Sequence, residues 1–165
     1  MDIFGHELSR FQLNTGTSYE TDFETFTVQA TRWKESCNEI LAVRHKVFTI
    51  EQHFTEAKTL YDLRDNNCYH LVVRNSEARV IATGRITPKG RIGKLAVLLP
   101  YRGIGIGSRM LQLLVQVGES RLVDDVSLTA ELSDRNFFDQ HKFRISGPVF
   151  MKQGVAHQML TRKFA

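Results

Sequence analysis

The sequence predicts a single mixed α/β (α+β) domain of about seven strands and about four helices. Three observations lead there. Short runs alternating apolar and polar side chains recur along the chain, longer runs at helical spacing interrupt them, and the chain closes on a two-strand pattern around Lys152-Gln153-Gly154. With 165 residues and 42% hydrophobic content, there is material for one core and hardly for two.

Residues 1–25 are polar and patternless and read as an N-terminal arm, partly ordered, that could pack on a second subunit in a homodimer. The domain proper spans 26–165. Phe26 to Trp33 alternates as a first strand. Ser36 then serves as a helix N-cap, with Ile40, Leu41, Val43, Val47, Phe48 and Ile50 at helical spacing behind it. His53 to Asn67 is polar, a short helix plus loop. Tyr69 to Arg74 and Val80 to Thr87 form a hairpin around Asn75-Ser76-Glu77, and Arg91 to Leu98 is a fourth strand ended by Pro100. A helix from Ser108 to about Glu119 buries Met110, Leu111, Leu114, Val115 and Val117. Asp125 to Glu131 is a fifth strand and Arg135 to His141 a short helix. Phe143 to Phe150 and Val155 to Phe164 are the closing pair.

Twenty-two Lys and Arg against 18 Asp and Glu leave a net charge of +4, and the excess is localised. Between Ala78 and Gly118 lie seven basic residues (Arg79, Arg85, Lys89, Arg91, Lys94, Arg102 and Arg109) and no carboxylate. Such a one-signed field suits a polyanionic ligand held nearby. No interleaving of aromatic and basic residues marks a base-stacking surface, so a nucleic-acid partner is not expected. Cys37 and Cys68 have neither disulfide-scaffold nor zinc-site spacing, and no metal is expected. The first residues lack the basic and apolar regions of an export signal, and the longest apolar run is too short for a bilayer. A cytoplasmic protein without a membrane partner is the expectation.

Inside the basic stretch, Arg102-Gly103-Ile104-Gly105-Ile106-Gly107-Ser108 joins an apolar strand to a helix. Glycines let backbone N–H groups close around phosphate oxygens, and the helix start adds unpaired donors and a positive dipole end. The even glycine spacing excludes the dinucleotide fingerprint, and the absence of lysine before Ser108 excludes the nucleoside-triphosphate loop.

Leu95-Ala96-Val97 followed by Arg102 to Ser108 resembles the acyl-CoA-binding motif of the GNAT superfamily of N-acetyltransferases, and the element order from 26 to 164 is similar as well. The resemblance implies a mostly antiparallel central sheet. It also implies acetyl-CoA as co-substrate, its pantetheine arm along Leu95, Ala96 and Val97 and its pyrophosphate held by Arg102, Gly103, Ile104, Gly105, Ile106, Gly107 and Ser108. Upstream, Arg44-x-x-Val47-Phe48-x-x-Glu51-Gln52, with Asp62, Asp65 and His70 after it, resembles the ElaA-like branch. Three positions depart from the family pattern. Phe138 stands at the tyrosine used as general acid, Lys142 at a glycine and Glu131 at a side-chain amide. A phenyl ring cannot donate a proton.

What the resemblance implies is acetyl transfer to the amine of a small molecule or a protein. Glu51 ends an apolar helix, and the resemblance places it by the acceptor groove as base or amine-orienting group; a solvated helix-end carboxylate is the plain alternative. His70 opens a strand and could relay a proton, or could be a satisfied structural residue. His141 and Tyr101 are substitutes for the absent acid. Cys68 and His70 share a strand face but lack an orienting third group. Two other readings stay open: an acyl-CoA-binding module with weakened catalysis, and an acyl-homoserine-lactone-synthase-like acyltransferase.

Overall fold

The computed structural model describes residues 17–20, 25–121 and 123–164; the rest of the expected arm lies outside them. Five antiparallel strands form the first sheet, in the order β1 (Thr17–Glu20), β2 (Thr25–Thr31), β3 (Tyr69–Arg74), β4 (Val80–Ile86) and β5 (Ile92–Val97). In the second sheet β6 (Asp125–Glu131), β7 (Arg144–Ile145) and β8 (Phe150–Lys152) all pair antiparallel with β9 (Val155–Lys163). The class is the one expected, with nine strands among the described residues where seven were read.

The surplus has two sources. Thr17–Glu20, within the stretch read as an arm, adds an edge strand to β2. The run from Phe143 to Phe150 breaks in two because Gly147-Pro148 interrupts it, and proline offers no N–H to a ladder. The chain stays attached there through Ser146, whose N–H donates to the Met159 carbonyl at 3.0 Å, and Gln158, whose amide donates to the Gly147 carbonyl at 2.9 Å.

Both faces of β3 are covered, which explains why the strand is buried almost throughout. Leu71 and Val73 point to the face packed by α3 (Ile106–Ser120), whose Met110, Leu111 and Leu114 are fully enclosed. His70 and Arg74 point to the other face, where α1 (Trp33–Arg44) supplies Trp33 and Glu39 as partners. Each enclosed leucine is worth ~1.5–3 kcal/mol of transfer free energy.

Helix α1 begins earlier than expected. Ser36 lies within its first turn rather than at the cap, sharing a 2.7 Å hydrogen bond with the Thr31 hydroxyl. The helix then continues as a π-helical turn, His45–Glu51, and the short α2 (Ala57–Leu60) follows it. The wider turn shifts the periodicity, so Val47 and Phe48 are buried while Ile50, expected in the core, is 58% exposed.

The two sheets meet at one parallel bridge between Arg91 and Ser127, where the Ser127 N–H donates to the Gly90 carbonyl at 3.0 Å. Beyond it β5 and β6 part. A bulge drives the separation: Thr83 pairs with Ala96 and Arg85 with Gly93, so Lys94 and Leu95 together oppose Gly84. Lys94 takes a left-handed φ of 48° there. A Cβ on Gly84 would stand 2.7 Å from the tip of the Leu95 side chain, which would have to shift to admit it.

Helix α4 (Arg135–Gln140) closes with the Phe143 N–H donating to the Phe138 carbonyl and the Lys142 N–H to the Asp139 carbonyl, at 3.1 and 3.0 Å. This pairing demands a left-handed residue, and Lys142 occupies it with φ 66°. The turn thus takes the left-handed conformation that suits a glycine without having the glycine. Lys142→Gly should raise stability by about 1 kcal/mol, read as a higher urea midpoint at unchanged m-value. A lower midpoint would show that the lysine side chain compensates for its backbone.

Candidate active site

The loop between β5 and α3 turns on left-handed glycines and opens directly into the helix. Gly103 and Gly105 have φ of 76° and 92°, and Gly105 caps α3 with no side-chain acceptor over the first turn. Those first N–H groups have no intrahelical partner. A Cβ on Gly103 or Gly105 would meet nothing within 4 Å, so conformation rather than crowding requires glycine, and the space in front is open. Ile106 is buried beneath the loop and Ile104 exposed above it. Ser108 faces His141, hydroxyl to ring nitrogen at 3.1 Å.

Arg102 and Glu51 meet at the rim of this loop. The Arg102 guanidinium donates to the Val97 carbonyl at 2.8 Å and to the Glu51 carboxylate at 3.0 Å. Glu51 thereby faces the glycine loop and does not line the cavity beyond β5; its neighbour Gln52 does.

That cavity, about 470 Å³, opens where β5 and β6 separate. Gly93 and Leu95 form one wall, Leu128, Thr129 and Glu131 the opposite one, and Phe48, Phe54, Phe138 and Phe150 supply apolar surface. Ala96 faces away, into the cluster formed by Val43, Val47 and Phe48. Phe138 packs edge-on against Phe137 and Phe143 and brings no proton donor.

Beneath the cavity lies a buried ionic network. Asp65 accepts both guanidinium nitrogens of Arg44 at 3.0 Å, Arg85 at 2.7 Å and the Asp62 N–H at 3.1 Å. Asp62 in turn takes both ends of Arg85, at 3.0 and 2.9 Å. Burial raises the pKa of both carboxyls, but the arginines outweigh it and hold them below the usual range. The Lys94 ammonium donates to the carbonyls of Lys58 and Thr59, and burial pulls its pKa down to about 8.

Four sequence candidates therefore sit elsewhere than a catalytic role would need. His70 is 0% exposed, under Trp33, with Nε2 2.9 Å from the Asp65 carbonyl. Because a carbonyl only accepts, Nε2 carries the hydrogen and Nδ1 is left bare and unpartnered. Tyr101 accepts from the Asn75 amide at 3.0 Å and packs on Phe26. His141 leans on Phe137, its pKa lowered by burial. Cys68 is buried, which pushes its thiol up to about 11, away from nucleophile chemistry.

The basic stretch is also divided. Arg85 descends into the ionic network, Arg79 pairs with Glu77, Lys94 and Arg91 face the cavity, and Arg102 and Arg109 remain at the glycine loop. Sequence reasoning did not assign Arg91, Lys94, Asp134 or His157 to the cavity.

A family model, Acetyltransferase (GNAT) domain, matches residues 25–164. The chain belongs to the GNAT acetyltransferase family. Its relatives include YyaT of Bacillus subtilis (strain 168), 28% identical over 133 residues, which are 78% of this chain and 89% of YyaT. Another is the UPF0039 protein sll0451 of Synechocystis, 24% identical over 74% of this chain and 83% of that protein. Among solved GNAT structures, Escherichia coli ElaA superposes with a TM-score of 0.75 at 20% identity, over 84% of this chain and 99% of its own. A GNAT acetyltransferase from Elizabethkingia anophelis with acetyl-CoA bound superposes at 0.56, with 12% identity, over 84% and 98% of the two chains. The structural likenesses show the GNAT fold. No helix among the described residues is long and apolar enough to cross a membrane, and no group of three or more His, Cys, Asp or Glu is placed there to hold a metal.

Burial holds the His70 imidazole down at about 4, against ~6.5 for an unfolded chain. Between those values the unfolded chain binds more protons, so stability falls as pH drops through that window. Asp62 and Asp65, with lowered pKa, act in the same direction below about pH 4. The parent should lose on the order of 3 kcal/mol between pH 7 and 4, and His70→Gln should flatten the part above pH 4.5. Equal slopes in urea titrations of the two proteins would show that His70 is not the group responsible.

Proposed function

We propose that this GNAT protein transfers an acetyl group from acetyl-CoA directly to an amine bound in the cavity between β5 and β6. The observation that carries the reading is the uncapped, left-handed Gly103–Gly105 start of α3, set beside a β5 edge that has no strand partner beyond Arg91 among the described residues. The loop fits a pyrophosphate, and the open edge fits the amide-bearing pantetheine arm. Acetyl-CoA would supply the activated thioester. The acetyl-CoA-bound Elizabethkingia relative, alike in fold, supports the choice of ligand.

The protein's own part is to position, to deprotonate and to polarise. Backbone N–H groups on the open edge of β5 are the donors available to a developing oxyanion. Holding amine and thioester together is worth ~7–11 kcal/mol in favourable cases. The amine must be neutral to attack, and the carboxylates at the β6 side of the cavity, Glu131 and Asp134, are placed to take its proton. Partial desolvation, helped by the Glu131 charge, pushes the Asp134 carboxyl up towards a more basic range. Glu51 acts on the cofactor side instead, orienting Arg102 through their ion pair. His70 stays in the scaffold.

Gly105→Val should lower acetyl-CoA affinity at least ~10-fold in calorimetry while the fold survives, since the position is strained for a side chain but not crowded. Saturating acetyl-CoA, at about a hundred times its dissociation constant, should raise the melting temperature of the parent by roughly 5–10 °C. A flat melting curve would sink the proposal. For Glu51→Gln, the expected change is in acetyl-CoA affinity, with kcat for the bound amine little altered. A loss confined to kcat would return the base to Glu51. The buried Phe138, where a proton donor is customary, supports one second reading, a binding module. It predicts acetyl-CoA binding with no thiol release across an amine panel.

A further inference from the structure

The cations around the cavity differ in how they are neutralised. Arg85 is locked onto Asp62 and Asp65, Arg64 pairs with Asp62 at 3.3 Å, and Lys94 is held by two carbonyls and lies 3.8 Å from Asp62. Arg91 has no carboxylate partner among the described residues. From the start of β5 its guanidinium crosses the cleft to the Thr129 hydroxyl at 2.6 Å. Arg91 is half-buried, and its pKa is lowered by that burial and by the neighbouring charges of Arg64 and Arg85. A guanidinium in such company, drawn partly out of water without a counter-ion, is at a disadvantage that an anionic ligand would relieve.

The other end of the cavity has the opposite sign. Glu131 stands two residues beyond Thr129 on the same face of β6, about 6.6 Å along the strand, with Asp134 and His157 beside it. The cavity is therefore bipolar over a short distance, with phenyl rings also in its lining. We infer that the acceptor is a small zwitterion: an amine carrying a carboxylate a few bonds away, as in an amino acid with an apolar side chain. Its carboxylate pairs with Arg91, steadied by Thr129, and its amine faces Glu131 and Asp134. Arg91 is then the specificity-determining residue of the acceptor site. The inference rests on the acetyl-transfer reading for its chemistry, though not for its binding.

Two measurements keep the readings apart. In turnover, monitored by thiol release and product mass, phenylalanine and leucine are compared with their primary amides and with the matching decarboxylated amines. The parent should favour the free acids by ~10–100-fold in kcat/KM, mainly through KM, as expected for a charge-assisted pair. Arg91→Gln should collapse that preference, and Arg91→Lys, which keeps the charge without the fork, should restore part of it. In equilibrium binding, the N-acetylated acids and their amides are titrated calorimetrically into parent and Arg91→Gln. Circular dichroism and melting confirm that the variant is folded. Carboxylate-dependent binding that requires Arg91 upholds the subsite even if no amine is turned over, in which case the transfer reading alone fails. Equal binding of acids and amides by the parent, no binding of either, or a preference untouched in Arg91→Gln overturns the inference.

Discussion

The buried pair between Arg44 and Asp65 is the contact on which the site depends. It joins the end of α1 to the turn before β3, and Arg85 on β4 completes it, so three separated segments converge on one carboxylate. Asp65 has every direction of approach filled by a donor, which is the condition under which a charge can be interior at all. Removing one partner would leave an uncompensated ion at a cost of about 3–5 kcal/mol. The network stabilises less through its attraction than by making alternative placements of α1 and the turn worse. His70, donating to the Asp65 carbonyl, fills the space under Trp33 and adds a group that must stay neutral.

From that floor the cleft follows. Arg85 sits next to Gly84, the residue opposite the bulge of β5, so the network and the bend are anchored at adjoining positions. Lys94, at the bulge itself, reaches back to the carbonyls of Lys58 and Thr59 and fixes the bent strand against the chain leading into the network. The bulge bends β5 away from β6 after a single bridge, and the opening becomes both the cavity and the free strand edge. One local irregularity thus produces two surfaces, on either side of where a thioester and an amine would meet.

The electrostatics divide along the same line. At the glycine loop the backbone offers neutral donors, and Arg102 is held beside it by Glu51 and the Val97 carbonyl. In the cavity, Arg91 and the Glu131–Asp134 end both contribute to a lining that mixes charged groups with phenyl rings. A carboxylate has been drawn into the neighbourhood of nearly every cation of the basic stretch that goes inward, Arg91 excepted.

What the sequence determined by itself was whatever depends on neighbours in the chain. Strand alternation, the buried face of α3, the Gln153-Gly154 turn and the glycine loop are set by local periodicity and backbone preference, and the structure has them where the residues indicate. The departure at Lys142 was legible as a missing glycine, though the left-handed turn that persists without it was not. Tertiary structure alone decided the rest, because the partners are distant in sequence. Arg102 finds Glu51 across 51 positions and Asp65 finds Arg44 across 21. No spacing rule says that Lys94 turns to two carbonyls, that Arg91 crosses to β6, or that His70 is enclosed. The bulge depends on what β4 presents opposite, and the π-helical turn on what α1 packs against. A basic stretch read in one dimension has one sign. Folded, it divides between a glycine loop, a buried network and a cavity, because each cation settles where desolvation is met by the nearest acceptor.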